Sequence, residues 1–262
     1  MKIIRYQKDD EITKGILKDE EVFKLEGDLF SSFSPGQKIA KLEEVKLLAP
    51  IQPPNIIAIG LNYRQHAVET GAEISERPLI FLKATSSLND PNSEIILPKL
   101  ASAEVDFEAE LAVVIAKKAK NIETVEVDDY ILGYSCANDV SARDCQKKLD
   151  KQWARGKSFD TFCPLGPWIE TELDPGDLKI KSILNDELMQ QSSTLDMIFN
   201  IEQLVSYLSH NMTLLPGTVI LTGTPEGVGF AREDQIFLRD GDQITVEIEG
   251  IGSLENNVAK EI

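Results

Sequence analysis

The chain has 262 residues, of which 42% are hydrophobic, enough for one large domain with a core and a small additional domain. Its 44 acidic and 27 basic residues give a net charge of −17, which excludes nucleic acid and anionic membranes as expected partners because both would be repelled. No apolar run approaches the ~20 residues of a membrane span, and the N-terminus lacks a signal peptide's apolar region, so we expect a soluble, cytoplasmic protein. The cysteines, Cys136, Cys145 and Cys163, form no Cys-x-x-Cys pair, which suits packing residues in a reducing compartment.

Strand patterns dominate the chain from its first residues. Residues 1–47 contain short apolar runs split by charge clusters, which predicts a small, β-rich N-terminal domain. The proline-containing stretch 47–54 is the expected linker to a main domain at 48–262. The main domain has predicted strands at 56–59, 79–83, 107–115, 132–138, 178–184, 218–222 and 243–249, and helices at 124–131, 142–150 and 200–211. The predicted fold class is therefore α+β, mainly β.

A polar segment after the strand at 56–59 contains the first candidate catalytic pair, His66 and Glu69. In a helical turn, residues three apart are neighbours, so Glu69 can orient one imidazole nitrogen and leave the other to accept a proton. The pair therefore predicts a general base, although a surface histidine in a mobile loop is the alternative. The other histidine, His210, lies near the end of the predicted helix 200–211, where a structural role at the helix dipole is expected.

Carboxylates alternate with apolar residues in the segment 105–115. In an extended strand, Asp106, Glu108 and Glu110 would share one face. Asp139, in a loop-forming tripeptide further along the chain, offers another carboxylate, and a divalent cation would relieve the repulsion among these groups. Oxygen ligands alone indicate Mg²⁺ or Mn²⁺. A strand edge whose glutamates face water is the alternative.

Two basic residues are candidates for binding an anion. Lys157 follows Gly156 in a strand-like run that ends at Pro164, and its ammonium can pair with a substrate carboxylate or a developing oxyanion. Arg143, which precedes Asp144, suits bidentate recognition of a carboxylate. An exposed ion pair is the alternative for the lysine, and a solvated helix start is the alternative for the arginine.

The glycine-rich segment 223–229 follows a predicted strand. A phosphate-binding loop is excluded because no Lys-Ser or Lys-Thr pair opens a helix after it. Thr224 can still offer a hydroxyl to a ligand, and Gly227 and Gly229 permit close backbone approach. A tight turn between strands is the alternative.

Six motifs in fixed order resemble the fumarylacetoacetate hydrolase superfamily over residues 48–262. They are GLNYRQHAVE (60–69), PLIFLKATSSLN (78–89), VDFEAELAVVI (105–115), GYSCANDVSARDCQ (133–146), GKSFDTFCPLGPW (156–168) and LTGTPEGVG (221–229). The resemblance implies the family's mixed β-roll, usually as a homodimer. It implies metal ligation by Glu108, Glu110 and Asp139, and a water-activating dyad of His66 and Glu69 on a lid. The residues that it implies as contacts of the bound acid are Lys157, Arg143, Gln146 and Thr224.

The expected function is hydrolysis of a C–C bond in a small 2,4-dioxo acid of the acylpyruvate or fumarylpyruvate type, with Mg²⁺ or Mn²⁺ as cofactor. His66 would activate the attacking water, and Lys157 would offset charge in the transition state. Isomerisation or decarboxylation of 2-oxo or 2-hydroxydienoic diacids, of the kind met in aromatic catabolism, is the main alternative because it uses the same chelation. A non-catalytic binding protein of the same fold is a further alternative, against which His66 and Glu69 count.

Overall fold

The structure, a computed structural model, describes residues 1–101 and 103–262. The strands before residue 100 are β1 (Lys2–Lys8), β2 (Glu11–Lys18), β3 (Glu21–Asp28), β4 (Ser32–Lys41), β5 (Lys46–Leu48), β6 (Ile56–Ile59), β7 (Ile80–Lys83), β8 (Leu88–Asn89) and β9 (Glu94–Leu97). The later strands are β10 (Val105–Asp106), β11 (Ala109–Ile115), β12 (Ile131–Asn138), β13 (Ser141–Ala142), β14 (Cys163–Glu170), β15 (Lys179–Leu184), β16 (Glu187–Ser193), β17 (Val219–Leu221), β18 (Gln243–Ile248) and β19 (Gly252–Lys260).

Helices are few and short in the described residues. The α-helices are α1 (Arg64–Thr70), α2 (Ala154–Lys157) and α3 (Ile201–Asn211). Short 3-10 turns lie at Leu42–Glu44, Thr85–Ser87, Thr124–Tyr130, Thr194–Asp196 and Gly229–Ala231, and a π-helical turn lies at Cys145–Leu149. None of the helices in residues 1–101 and 103–262 has the length and apolar character to cross a membrane.

The strands form two main sheets. The larger sheet has 12 strands, in the order β4-β3-β2-β1-β14-β12-β11-β17-β6-β7, with β5 beside β1 and β8 beside β14. The smaller sheet has 5 strands, in the order β16-β15-β18-β19-β9, and β10 pairs separately with β13. The predicted α+β, mainly β class is confirmed.

Strand β11 lies at the centre of the large sheet, between β12 and β17, and all of its residues are buried. Val113 on one face packs in the same core cluster as Leu204 of α3, whereas Val114 on the other face packs with Ile3 of β1. Burial of apolar side chains on both faces fixes this strand firmly. The carboxylates at its beginning are therefore presented by a rigid element.

The predicted β-rich N-terminal part is confirmed, and its strands extend the large sheet. Strand β1 pairs antiparallel with β14, with Ile3 opposite Ile169. The N-terminal ammonium of Met1 donates to Oε1 of Glu170 at 2.8 Å. The division into two domains between residues 47 and 48 stays a prediction. The large sheet continues across this position, where β5 pairs with β1.

Four predicted elements differ from the structure. The strand predicted at 107–115 begins only at Ala109, because the backbone N–H of Glu108 donates to the side chain of Asn138 at 3.0 Å and that of Ala109 to the side chain of Gln190 at 2.9 Å. These side chains replace a neighbouring strand, so the sheet partner changes between β10 and β11. The helix predicted at 142–150 is a π-helical turn, and the one at 124–131 is a 3-10 helix. The strand-like run predicted around Lys157 was wrong, since this residue ends α2.

Candidate active site

The three predicted metal ligands, Glu108, Glu110 and Asp139, lie side by side and form what we call the acidic triad. Strand pairing places them, because Ala109 of β11 lies opposite Asn138 of β12. The backbone N–H of Asp139 donates to the carbonyl of Glu108 at 2.9 Å. One carboxylate oxygen from each member lies within 4.8 Å of the others, and all three side chains are buried.

Buried cations surround two members of the acidic triad. Lys157 Nζ donates to Glu108 Oε2 at 2.8 Å and to Asp139 Oδ2 at 2.7 Å. Arg143 Nη1 lies 2.7 Å from Glu108 Oε1, and Lys83 Nζ donates to Asp139 Oδ1 at 2.5 Å. Such pairing is what allows carboxylates and ammonium groups to remain charged away from water.

Glu110 lacks this compensation among the described residues. It accepts a hydrogen bond from the backbone N–H of Gly223 at 2.7 Å. Burial, followed by repulsion from the rest of the acidic triad, raises its pKa well above the usual value. Burial alone would also raise the pKa of Glu108, but the cations of Lys157 and Arg143 outweigh burial and lower it.

The acidic triad fits a hard divalent cation. Its ligand atoms are carboxylate oxygens, and an oxygen that accepts one hydrogen bond keeps a further lone pair for a metal. A cation would also offset the repulsion at Glu110 and allow the three carboxylates to ionise together. The triad can therefore hold a divalent metal ion.

His66 and Glu69 make the predicted contact across one turn of α1. The Nδ1–H of His66 donates to Glu69 Oε2 at 2.8 Å, and Glu69 Oε1 accepts from the backbone N–H of Gly227 at 2.8 Å. Both oxygens of the glutamate are thus engaged, which fixes the orientation of the imidazole and leaves its Nε2 for proton transfer.

A cavity of about 240 Å³ joins the acidic triad to this dyad. Its volume is below the ~300–1,000 Å³ of pockets for drug-sized ligands, which indicates a small substrate. The predicted site residues that line it are His66, Glu108, Glu110, Arg143, Gln146, Lys157 and Thr224. Glu69 and Asp139 contact lining residues from outside it.

The guanidinium of Arg143 is held by other side chains of the protein and is not left free to bind a substrate carboxylate. Its Nε donates to Asp106 Oδ2 at 2.8 Å, and its Nη1 approaches Glu108 and donates to Gln146 Oε1 at 2.8 Å. The two carboxylates offset much of its charge. Because Arg143 occupies the amide oxygen of Gln146, the amide nitrogen of Gln146 is the group left to donate into the cavity.

The hydroxyl of Thr224 also makes hydrogen bonds within the protein. It donates to the carbonyl of Ala109 at 3.0 Å and accepts from Nε2 of Gln190 at 2.8 Å. Any contact with a substrate must therefore use its remaining lone pair as an acceptor. Gln190, which the sequence did not single out, ties the beginning of β11 to the loop at 223–229. Its position in a run of polar residues carried no signal.

Two further buried residues complete the site. Asp106, which was expected on the same face as Glu108 and Glu110, lies in β10 before the break and does not line the cavity. Its carboxylate accepts instead from Arg143 and from the backbone N–H groups of Gly229 and Phe230, at 2.8 and 3.1 Å. Lys83 was not predicted, although a lysine that ends the apolar run LIFLK was a usable signal.

His210 lies outside the cavity, near the C-terminal end of α3. Its Nδ1–H donates to the carbonyl of Ser206 at 2.9 Å. His210 therefore lies at the end of a helix, where a structural role was expected for it. The free thiols of Cys136, Cys145 and Cys163 are buried, in agreement with packing roles.

Residues 55–259 match the family model described as fumarylacetoacetate (FAA) hydrolase C-terminal, and residues 1–50 match the model described as Rv2993c-like, N-terminal. The protein named oxaloacetate tautomerase Fahd2a, mitochondrial, from Rattus norvegicus is 46% identical over 219 residues, which are 82% of this chain and 70% of the relative.

Solved structures match this chain over its whole length, among them the following two. The 5-carboxymethyl-2-hydroxymuconate delta-isomerase from Mycobacterium smegmatis is 39% identical with a TM-score of 0.90, and the match spans 100% of both chains. The fumarylacetoacetate hydrolase from psychrophilic Exiguobacterium antarcticum is 35% identical with a TM-score of 0.91, again over 100% of both chains. The chain belongs to the fumarylacetoacetate hydrolase superfamily and is one of its enzymes.

Proposed function

We propose that this enzyme catalyses the enol–keto tautomerisation of a small 2-oxo acid, with oxaloacetate as the first candidate, and that the acidic triad holds Mg²⁺ or Mn²⁺. One observation carries the proposal: a single cavity of about 240 Å³ brings the acidic triad and the His66–Glu69 dyad together. The names of the rat tautomerase and the mycobacterial isomerase support tautomerisation, which belongs to the alternative given from the sequence, over the C–C hydrolysis that the sequence analysis gave as the expected function.

The site residues have distinct roles in this reaction. The enol oxygen loses a proton, and a proton is added to the carbon next to the one that bears this oxygen. A divalent cation would supply chelation of the 2-oxo acid and stabilise negative charge on its oxygens. His66, held through Nδ1 by Glu69, would deliver or accept the proton at Nε2. Lys157 would place a positive charge beside the developing oxyanion.

The remaining predicted contacts would position the substrate. Gln146 would donate its amide N–H, and Arg143 would hold that amide in place. Thr224 would accept a hydrogen bond through its free lone pair. These groups line the cavity together with His66 of α1, so they would orient the acid beside it.

The test follows the ultraviolet absorbance of enol-oxaloacetate. Protein stripped with a chelator and reloaded with Mg²⁺ or Mn²⁺ should convert the enol faster than buffer with the same ion does, and stripped protein should not. Asp139→Asn should lose most of the acceleration. If the reloaded parent protein gives only the buffer rate, the proposed tautomerisation is wrong.

Hydrolysis of acylpyruvates is the second candidate, because an imidazole fixed by a carboxylate is also suited to activating water. Release of pyruvate from a panel of acylpyruvates distinguishes the two functions, and pyruvate from oxaloacetate reports decarboxylation. Hydrolysis replaces tautomerisation as the main function if acylpyruvates are cleaved and enol-oxaloacetate is untouched. The homodimer and the cytoplasmic location stay predictions.

A further inference from the structure

Lys147 lines the cavity but has no part in the roles described above. It follows Gln146 in the π-helical turn Cys145–Leu149. Its Nζ lies 3.9 Å from the ring centre of Phe230, and the guanidinium carbon of Arg143 lies 4.3 Å from the same ring centre. One aromatic side chain therefore holds two cations at the cavity wall.

Lys147 differs from the other basic residues of the cavity in its partners. Arg143 pairs with Asp106 and Glu108 at 2.8 and 2.7 Å, and Lys157 pairs with Glu108 at 2.8 Å. Within residues 1–101 and 103–262, the ammonium of Lys147 makes no ion pair and no hydrogen bond with a side chain or backbone group. Among the basic residues that line the cavity, Lys147 is the one without a carboxylate partner in the described part of the chain.

The surroundings of Lys147 favour an incoming anion. Partial burial, and then the like charge of Arg143, lower its pKa. The side chain is exposed as a whole, and its ammonium is repelled by the guanidinium of Arg143 at the same aromatic ring. A carboxylate beside it would relieve both effects.

A chain of side-chain contacts connects the acidic triad with Lys147. Glu108 of the acidic triad contacts Arg143, and Arg143 shares the ring of Phe230 with Lys147. Glu108, Glu110 and Lys147 all line this cavity, so a small acid that meets the triad with its 2-oxo end would share the cavity with the ammonium of Lys147.

We propose that Lys147 is a specificity-determining residue that binds the distal carboxylate of a small 2-oxo diacid. This inference rests on the proposed tautomerase function and names its substrate class. The enzyme favours a diacid over an otherwise matched monoacid because the monoacid leaves the charge of Lys147 unpaired.

The test compares oxaloacetate with its 4-methyl ester, which has a neutral distal end of similar shape. Lys147→Met keeps most of the apolar stem and removes the charge. It should lower kcat/KM for oxaloacetate by ~10–100-fold, mainly through KM, which is the range for a hydrogen bond to a charged group. The preference for diacid over ester should collapse, and Lys147→Arg should restore most of it.

Lys148→Met is the matched control. Lys148 lies in the same turn and is exposed like Lys147, but it pairs with Glu104 and does not line the cavity. This variant should keep the parental preference. Equal losses for both substrates in Lys147→Met, or no loss for either, would overturn the inference.

A binding measurement keeps the inference testable without catalysis. If the parent tautomerises neither substrate, the proposed function fails, and calorimetric titration of the Mg²⁺-loaded protein with the same two compounds still decides the role of Lys147. The parent should bind oxaloacetate more tightly than the ester, and Lys147→Met should bind the two alike. A parent that does not discriminate overturns the inference.

Discussion

Glu110 is the member of the acidic triad whose charge is least balanced. Glu108 and Asp139 each contact buried cations, whereas Glu110 accepts only from the backbone of Gly223 among the described residues. Burial and repulsion from the rest of the acidic triad raise its pKa, which favours the protonated carboxyl when no divalent ion is bound. Because a metal ion binds the carboxylate form, we expect metal binding to be linked to proton release from Glu110.

We predict that stabilisation by Mn²⁺ grows with pH. Because folding raises the pKa of Glu110 above its usual value of 4.5, its contribution to stability is fully present below pH 4.5 and is lost as the pH rises through the raised pKa. Bound Mn²⁺ opposes that loss, so the gain in Tm should increase over this window. Calorimetry in buffers of different ionisation enthalpy should show proton release, which Glu110→Gln should abolish. Mn²⁺ binding that is independent of pH would contradict this prediction.

We predict that His66→Asn lowers kcat by ~10²–10⁴-fold, the usual contribution of a general acid or base, with little change in Mn²⁺ affinity. Glu69→Gln should lose less, because it keeps an oxygen to accept from Gly227. His210→Asn is the control, since this histidine lies outside the cavity. Steady-state kinetics and Mn²⁺ titration check the outcome. Near-parental turnover of His66→Asn would exclude it as the proton-transfer group.

At the scale of elements, strand β1 connects the N-terminal part to the sheet that carries the site. Ile3 is fully buried and belongs to the core cluster that contains Val114 of β11 and Ile169 of β14. The N-terminal strands therefore stabilise the same sheet that presents the acidic triad.

We predict that Ile3→Ala lowers the free energy of unfolding by ~2–5 kcal/mol, because it leaves a cavity in the core. Ile12→Ala in the neighbouring strand β2 is the control. Ile12 is 54% exposed, so its truncation should change stability by only about 0.5 kcal/mol or less. Urea denaturation followed by circular dichroism measures both. An unfolding midpoint of Ile3→Ala equal to that of the parent would show that β1 does not support the sheet.

Elements that are stabilised by interactions between residues close in sequence could be predicted from local sequence patterns. The apolar run at 56–59 and the helix with its Asn200–Gln203 capping box formed where expected, because burial and capping act over a few residues. The break before Ala109 was not predictable, since Asn138 and Gln190, distant in sequence, supply its hydrogen bonds. The contacts of Asp106 and Lys83 were missed for the same reason.

The acidic triad could be predicted because carboxylates two apart in a strand, with another in a nearby loop, mark a site in the sequence itself. The i, i+3 spacing of His66 and Glu69 was equally informative. The commitment of Thr224 to Ala109 depends on tertiary packing, so a sequence alone could not reveal it.

At the scale of the whole molecule, the net charge of −17 opposes an anionic substrate. The structure places Arg143, Lys147 and Lys157 at one cavity, which provides the local positive charge that an acid requires. Because Arg143 and Lys157 are largely balanced by carboxylates, a bound divalent ion and Lys147 would supply most of the attraction.

The central claim is that the acidic triad holds a divalent cation in this cavity. Anomalous diffraction from crystals soaked in Mn²⁺ tests it most directly, because manganese scatters anomalously and its position can be read without assumptions about ligands. We predict one strong peak about 2 Å from a carboxylate oxygen of each of Glu108, Glu110 and Asp139. A fully occupied Mn²⁺ site elsewhere, with no peak among these three carboxylates, would contradict the account.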